Sequence, residues 1–214
     1  MINAMDYSKY KQLEFRRKFW KIFGAEIKVT EPNSEQVVGI IKMKAWKLKE
    51  DIRLYSDASL GKELIRIGAR SIIDFGATYD VFDSPTNQQL FSLRRKGLKS
   101  TFVRDHWDMY DSNGERFGFV QETSSGLALA RRWLELLPFG DIIGLIFAFV
   151  PQSYTINVND ATSTPVVAGT ILHRKNPIIV KMSLDTTAAQ PDVDPRIGIS
   201  VVSLLSVIDS AKNG

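Results

Sequence analysis

The chain contains two histidines, His106 and His173, and no cysteine. Thiol catalysis, disulfides, Cys-ligated zinc and iron–sulfur clusters are therefore excluded, and so is a His-rich metal site. A serine–histidine–aspartate device would need one of these two histidines. Asp105 and His106 are adjacent, so in a strand they point to opposite faces and make no dyad. His173 precedes Arg174 and Lys175 and reads as a strand end. Asp111, Asn113, Glu115 and Glu122 follow part of the alternating oxygen pattern of a calcium loop. The sixth position of that pattern, where such a loop needs glycine, is Arg116. No glycine-rich phosphate loop is present. These residues imply no catalytic group, no metal and no cofactor, and the expectation is a protein that is not an enzyme.

Anion chemistry is better represented. Arg94, Arg95 and Lys96 stand together with Lys99 close behind, and Arg131 and Arg132 flank Trp133. Arg16, Arg17, Lys18 and Lys21 interleave with Phe15, Phe19, Trp20 and Phe23, and Lys42, Lys44, Lys47 and Lys49 form a further basic run. Arginine gives a phosphate two parallel hydrogen bonds and lysine a point charge, so such clusters suit a phosphorylated headgroup. Arg94, Arg95, Lys96, Lys99, Arg131 and Arg132 are the candidates for that role. The competing reading is that these are the solvated outer faces of strands. The formal charge of +4 sits entirely in residues 1–122, which hold 21 basic and 17 acidic side chains. That excess is small, and no groove-reading helix is evident, which disfavours nucleic acid as the partner.

The elements that would carry these groups are legible from an internal repeat. Segments beginning at Ile52, Tyr79 and Trp107 each read as a strand ending in an aromatic and an aspartate, a polar turn, and a strand of alternating apolar positions. The turn aspartates Asp57, Asp83 and Asp111 are 26 and 28 residues apart. Looser copies begin at Ile27, with a turn at Pro32–Ser34, and at Tyr154, with Asp160 in the turn. Aspartate at the start of a turn accepts backbone N–H bonds, and Asn113-Gly114 tolerates positive φ. Repeated strand–turn–strand units mean an all-β domain. With further strands around Phe15–Ile22 and Ile178–Leu184, the chain has about eleven or twelve. That is too many for a flat sheet, and closure into an antiparallel barrel removes the edges.

The C-terminal segment supports closure. Asp194-Pro195 is an N-cap followed by proline at the first helical position. Apolar residues from Ile197 to Ile208 then cover nearly the whole circumference of a helix, interrupted only by glycine and serine. A helix apolar on all sides is buried or lies in a membrane, and this one is too short to span. A barrel of about twelve strands is too wide for its own side chains to fill. The expected fold is one mainly-β domain over residues 1–214: a closed antiparallel barrel around a buried hydrophobic helix at 194–211, with an N-terminal extension at 1–14.

The runs YDVFDSPTNQQLFSLRRKG from Tyr79 and RDHWDMYDSNGERFGFVQE from Arg104, followed by that helix, resemble the LURP-one-related proteins. Those belong to the Tubby C-terminal-like superfamily, together with the phospholipid scramblases. The resemblance covers about Phe15 to Ala211 and implies a twelve-stranded barrel wrapped around a central helix. It also implies phospholipid as a ligand class, since Tubby domains bind phosphoinositides and scramblases are proposed to move lipids. No cysteine is available for the palmitoylated segment of scramblases, so lipid transfer ranks below lipid binding.

Residues 124–152 read as an insertion with helical period up to Pro138, then a nearly continuous apolar run from Ile142 to Val150. It would either plug one barrel mouth or contact a membrane or a protein partner. No signal peptide and no spanning helix is recognisable. The expectation is a cytoplasmic binding module, peripheral at anionic membrane lipids. A structural or protein-interaction scaffold that uses the insertion is the alternative.

Overall fold

The computed structural model describes residues 7–18, 25–43, 51–57, 59–71, 76–96, 105–123, 151–174, 179–190 and 192–212. Twelve strands form a closed antiparallel barrel. They are β1 (Gln12–Lys18), β2 (Ala25–Thr30), β3 (Val37–Met43), β4 (Ile52–Tyr55), β5 (Glu63–Ser71), β6 (Thr78–Asp83), β7 (Gln88–Arg95), β8 (His106–Tyr110), β9 (Arg116–Glu122), β10 (Gln152–Asn159), β11 (Pro165–Arg174) and β12 (Ile179–Asp185). Each strand pairs with the next, and β1 closes the ring on β12 from Gln12 opposite Asp185 to Lys18 opposite Ile179. The meander makes all odd-numbered strands finish at one end, here the upper end. The β2–β3, β4–β5, β6–β7, β8–β9 and β10–β11 turns lie at the lower end.

Alternation sorts the strands into an inner and an outer wall. Phe15 faces Val29, Ile41 faces Leu54, Ile67 faces Val81, Leu93 faces Met109, Val120 faces Ile156, and Ile171 faces Leu184. All of these are buried. The lower turns are held as their aspartates predict. Asp57, Asp83, Asp111 and Asp160 each accept a backbone N–H two or three residues ahead, at 2.8–3.2 Å. Asp111 and Asp160 each accept a second one from the residue four ahead. Gly114 takes the positive φ, 83°. The barrel begins earlier than the sequence suggests: β1 starts at Gln12, and Tyr7, on a short 3-10 turn at Tyr7–Lys9, belongs to the core.

Helix α1 (Pro195–Lys212) starts with Asp194 as its cap, the Oδ1 atom accepting the Arg196 N–H at 2.9 Å. Every residue from Gly198 to Ile208 is buried. The helix packs most closely on β12, with β11 and β1 beside it, and also on β4 and β5. Those two groups are separated around the ring by β6–β10 on one side and by β2–β3 on the other, so the helix can reach both only through the interior. Small residues let it sit close to β12. A Cβ on Gly198 would lie 3.1 Å from Leu184 Cδ2, and the Ser206 hydroxyl is 3.2 Å from the sulfur of Met182. Larger rings on β6–β10, from Tyr79, Phe91, Trp107 and Tyr154, occupy the wider side.

Candidate basic surface

Strand alternation separates the first candidate cluster. Arg94 is on the outer wall, exposed and opposite Asp108 of β8. Arg95 turns inward, with its Nε 3.0 Å from Asp105 and its guanidinium 5.6 Å from the centre of the Trp107 ring. Lys96 returns outward and places its Nζ 3.2 Å from Asp108. Lys99, Arg131, Arg132 and the 124–150 part of the insertion lie outside the described residues. So do Lys44, Lys47 and Lys49.

Asp108 organises this sector of the wall. Its carboxylate is 5% exposed and receives Arg116 at 2.6 Å, His106 at 3.2 Å and Lys96 at 3.2 Å. The His106 ring stacks on Phe119 at 5.5 Å, and the Arg116 guanidinium lies 5.2 Å over the same ring. His106 therefore has an acidic partner, two residues ahead on its own face rather than beside it. A bulge at Met109/Tyr110 brings Arg116 onto that face. The result is three permanent cations, Arg94, Lys96 and Arg116, and a histidine around one carboxylate.

A second sector is more regular. Arg174 of β11 stands opposite Lys181 of β12, Lys181 opposite Arg16 of β1, and Arg16 opposite Lys28 of β2. Four cations thus form one cross-strand row on the outer wall. Like charges in directly opposed positions destabilise a sheet. One carboxylate relieves this row: Glu14 takes Lys181 at 2.7 Å and also binds Arg16. Arg174 and Lys28 are exposed and have no ion pair among the described residues. The signal for this row was present only as separate basic residues on four distant segments. The Arg16-Arg17-Lys18 run looked like one cluster, but alternation sends Arg17 into the barrel. Uncharged outer residues of β10, such as Ser153 and Thr155, lie between the two sectors.

Both buried carboxylates are tuned by this arrangement. Burial works to raise the Glu14 and Asp108 pKa values. For Glu14 the hydrogen bonds from Lys181 and Arg16 outweigh it, and for Asp108 those from Arg116, His106 and Lys96 do, so both are held below the usual carboxylate range. A carboxyl depressed in the folded state stabilises above its unfolded pKa, and that contribution is lost as pH falls through the folded one. Stability should therefore decline steadily from about pH 5 downward. The Glu14→Gln/Asp108→Asn double variant should be less stable at neutral pH and show a shallower decline in acid. Urea midpoints across that range check both slopes.

Among the described residues no group of three or more His, Asp or Glu side chains is placed to hold a metal ion. No described helix is long and apolar enough to cross a membrane. The arrangement offers charge and hydrogen-bond donors for an anion. Comparisons with protein-family models, curated proteins and solved structures give no match.

Proposed function

We propose that this chain is a non-enzymatic binding module whose outer wall engages anionic phospholipid surfaces, peripherally and from the cytoplasmic side. The row Arg174–Lys181–Arg16–Lys28 carries the reading. Four directly opposed cations with a single buried carboxylate between them are an arrangement that an external polyanion relieves. The Arg94, Lys96 and Arg116 sector adds a second patch of the same sign. A twelve-strand barrel with a helix inside it supports kinship with the Tubby C-terminal-like and LURP-one-related proteins, and with it phosphoinositide as one headgroup to test.

The experiment is sedimentation with vesicles of neutral lipid, of neutral lipid plus phosphatidylserine, and of neutral lipid plus a phosphoinositide. Binding should be confined to the anionic vesicles and should fall as salt shortens the Debye length. A basic residue near an anionic surface contributes about 1 kcal/mol, so losing two contributions through Lys28→Glu/Arg174→Glu should weaken binding about thirtyfold. Both positions are exposed and have no ion pair among the described residues, so the fold should tolerate the change. Unaltered vesicle binding by that variant would remove the row from the function. Binding to no vesicle would direct the search to a protein partner.

A further inference from the structure

The five lower hairpins share one irregularity. In each, the register slips and leaves one residue of the second strand without an opposite number: Val38, Leu64, Leu90, Phe117 and Ala168. A bulge of this kind re-aims a side chain. Here it turns an extra apolar residue toward the core just inside the lower mouth, and all five pack in or against the core. Val38, Leu64 and Ala168 are buried. Leu90 and Phe117 are only partly covered.

Those two line a cavity of about 370 Å³ between the start of β7, the β8–β9 turn and the start of α1. Phe91 and Ile197 complete its apolar side, and the Phe91 and Phe117 rings meet edge-on at 6.1 Å. An apolar floor of this size with a few polar groups at its edge is the usual form of a small-molecule site, and barrel mouths are a common place for one. The edge carries Asp111, Asp194 and Arg196, with Gln88 and Ser112 as neutral hydrogen-bonding groups. Among the described residues no lysine lines it.

The charges at this edge are not balanced. Arg196 is taken up by Asp194 on one side and by Asp83 at 3.2 Å on the other. Asp194 also caps α1. Asp111 accepts the N–H groups of Asn113 and Glu115, which hold its turn, but has no ion pair among the described residues. Three carboxylates therefore face one guanidinium. An occupant that covered Leu90 and Phe117 would also take water from Asp111, and an ionised carboxylate loses hydration at a cost. A cationic group on that occupant offsets the cost.

We propose that this cavity binds a small organic cation, an apolar body seated on Leu90 and Phe117 with one protonated amine that pairs with Asp111. The site is separate from the outer basic rows and does not depend on the membrane reading.

The test uses the full chain labelled with nitrogen-15 and three molecules of similar size: phenethylamine, phenethyl alcohol and phenylacetate, which carry a cation, a neutral hydroxyl and an anion. Phenethylamine should move the backbone amide resonances of Leu90, Ser112 and Ile197 saturably and leave those of β2 and β3 in place. The alcohol and the carboxylate should bind at least about fivefold more weakly, as for the loss of one partly exposed ion pair. Asp111→Asn keeps a side-chain oxygen for the turn and removes the charge, so it should weaken phenethylamine binding by about the same fivefold. Asp160→Asn makes the same change in the equivalent β10–β11 turn, outside the cavity lining, and should leave binding unaltered. No saturable shift from phenethylamine overturns the proposal. So does equal binding of the alcohol, or a folded Asp111→Asn variant that binds as tightly as the wild type. If that variant does not fold, the comparison of amine with alcohol on the wild type decides alone. The Lys28→Glu/Arg174→Glu variant should keep the phenethylamine shifts while losing vesicle binding, so each reading can fail without the other.

Discussion

Gly118→Ala should lower the unfolding free energy by about 3 kcal/mol or more, at the top of the range for overpacking a core. Gly118 sits on β9, opposite Met109 of β8 and Val158 of β10, with its missing side chain directed into the barrel. A Cβ there would be 2.4 Å from the Asn157 carbonyl oxygen, 2.6 Å from Met109 Cε and 3.2 Å from Val158 Cα. The methionine end can swing aside. The carbonyl oxygen and the Cα belong to the β10 backbone, so β9 and β10 would have to part by about 1 Å to restore an ordinary carbon–oxygen contact. In a closed ring that displacement has to be absorbed by the neighbouring ladders. For a chain of this size the melting temperature should drop by about 6–12 °C. Gly76→Ala is the matched control, because nothing lies within 4 Å of its Cβ and its φ is not positive. That variant should melt within about a degree of the wild type, as surface substitutions do. Gly118→Ala melting beside Gly76→Ala would mean that the β8–β9–β10 register is wrong.

Such a close approach could not have been anticipated from the chain alone, whereas much of the barrel could. The repeated aromatic–aspartate turns mark where strands reverse, and Asp57, Asp83, Asp111 and Asp160 do the local work that their position implies. Period-two alternation and the fully apolar C-terminal segment together point to a closed barrel with something inside it. Alternation also separates Arg95 from Arg94 and Lys96, and it pairs His106 with Asp108 at a spacing of two. Register is different in kind. The row Arg174–Lys181–Arg16–Lys28 exists because the two ends of the chain close the ring, and the pairing of β1 with β12 has no local signature. Glu14 shows the same limit. Surrounded by Arg16, Arg17 and Lys18 in sequence, it looks like a minor offset to a basic run. Across the ladder it is the carboxylate that lets Lys181 and Arg16 stand side by side.

The second large effect concerns α1, and it distinguishes a helix inside the barrel from one lying on it. Aspartate placed singly at Ile199, Val202, Leu204, Leu205 or Val207 should cost more than about 3 kcal/mol at every position, because an unpaired buried carboxylate must either stay ionised without water or protonate. At about 100° per residue these five positions sample all sides of the helix. None is more than 6% exposed. A surface helix would behave otherwise, since an amphipathic helix tolerates charge on its solvent face. Each native side chain also contributes about 1.5–3 kcal/mol by burial, so the substitutions remove a stabilising term while adding a charged group. Against a total stability of about 5–15 kcal/mol, most of these variants should show weak or no cooperative melting by circular dichroism. Acceptance of aspartate along one stripe, with melting preserved, would place the helix outside the barrel. The interior would then need another occupant, because twelve strands enclose more space than their own inward side chains fill.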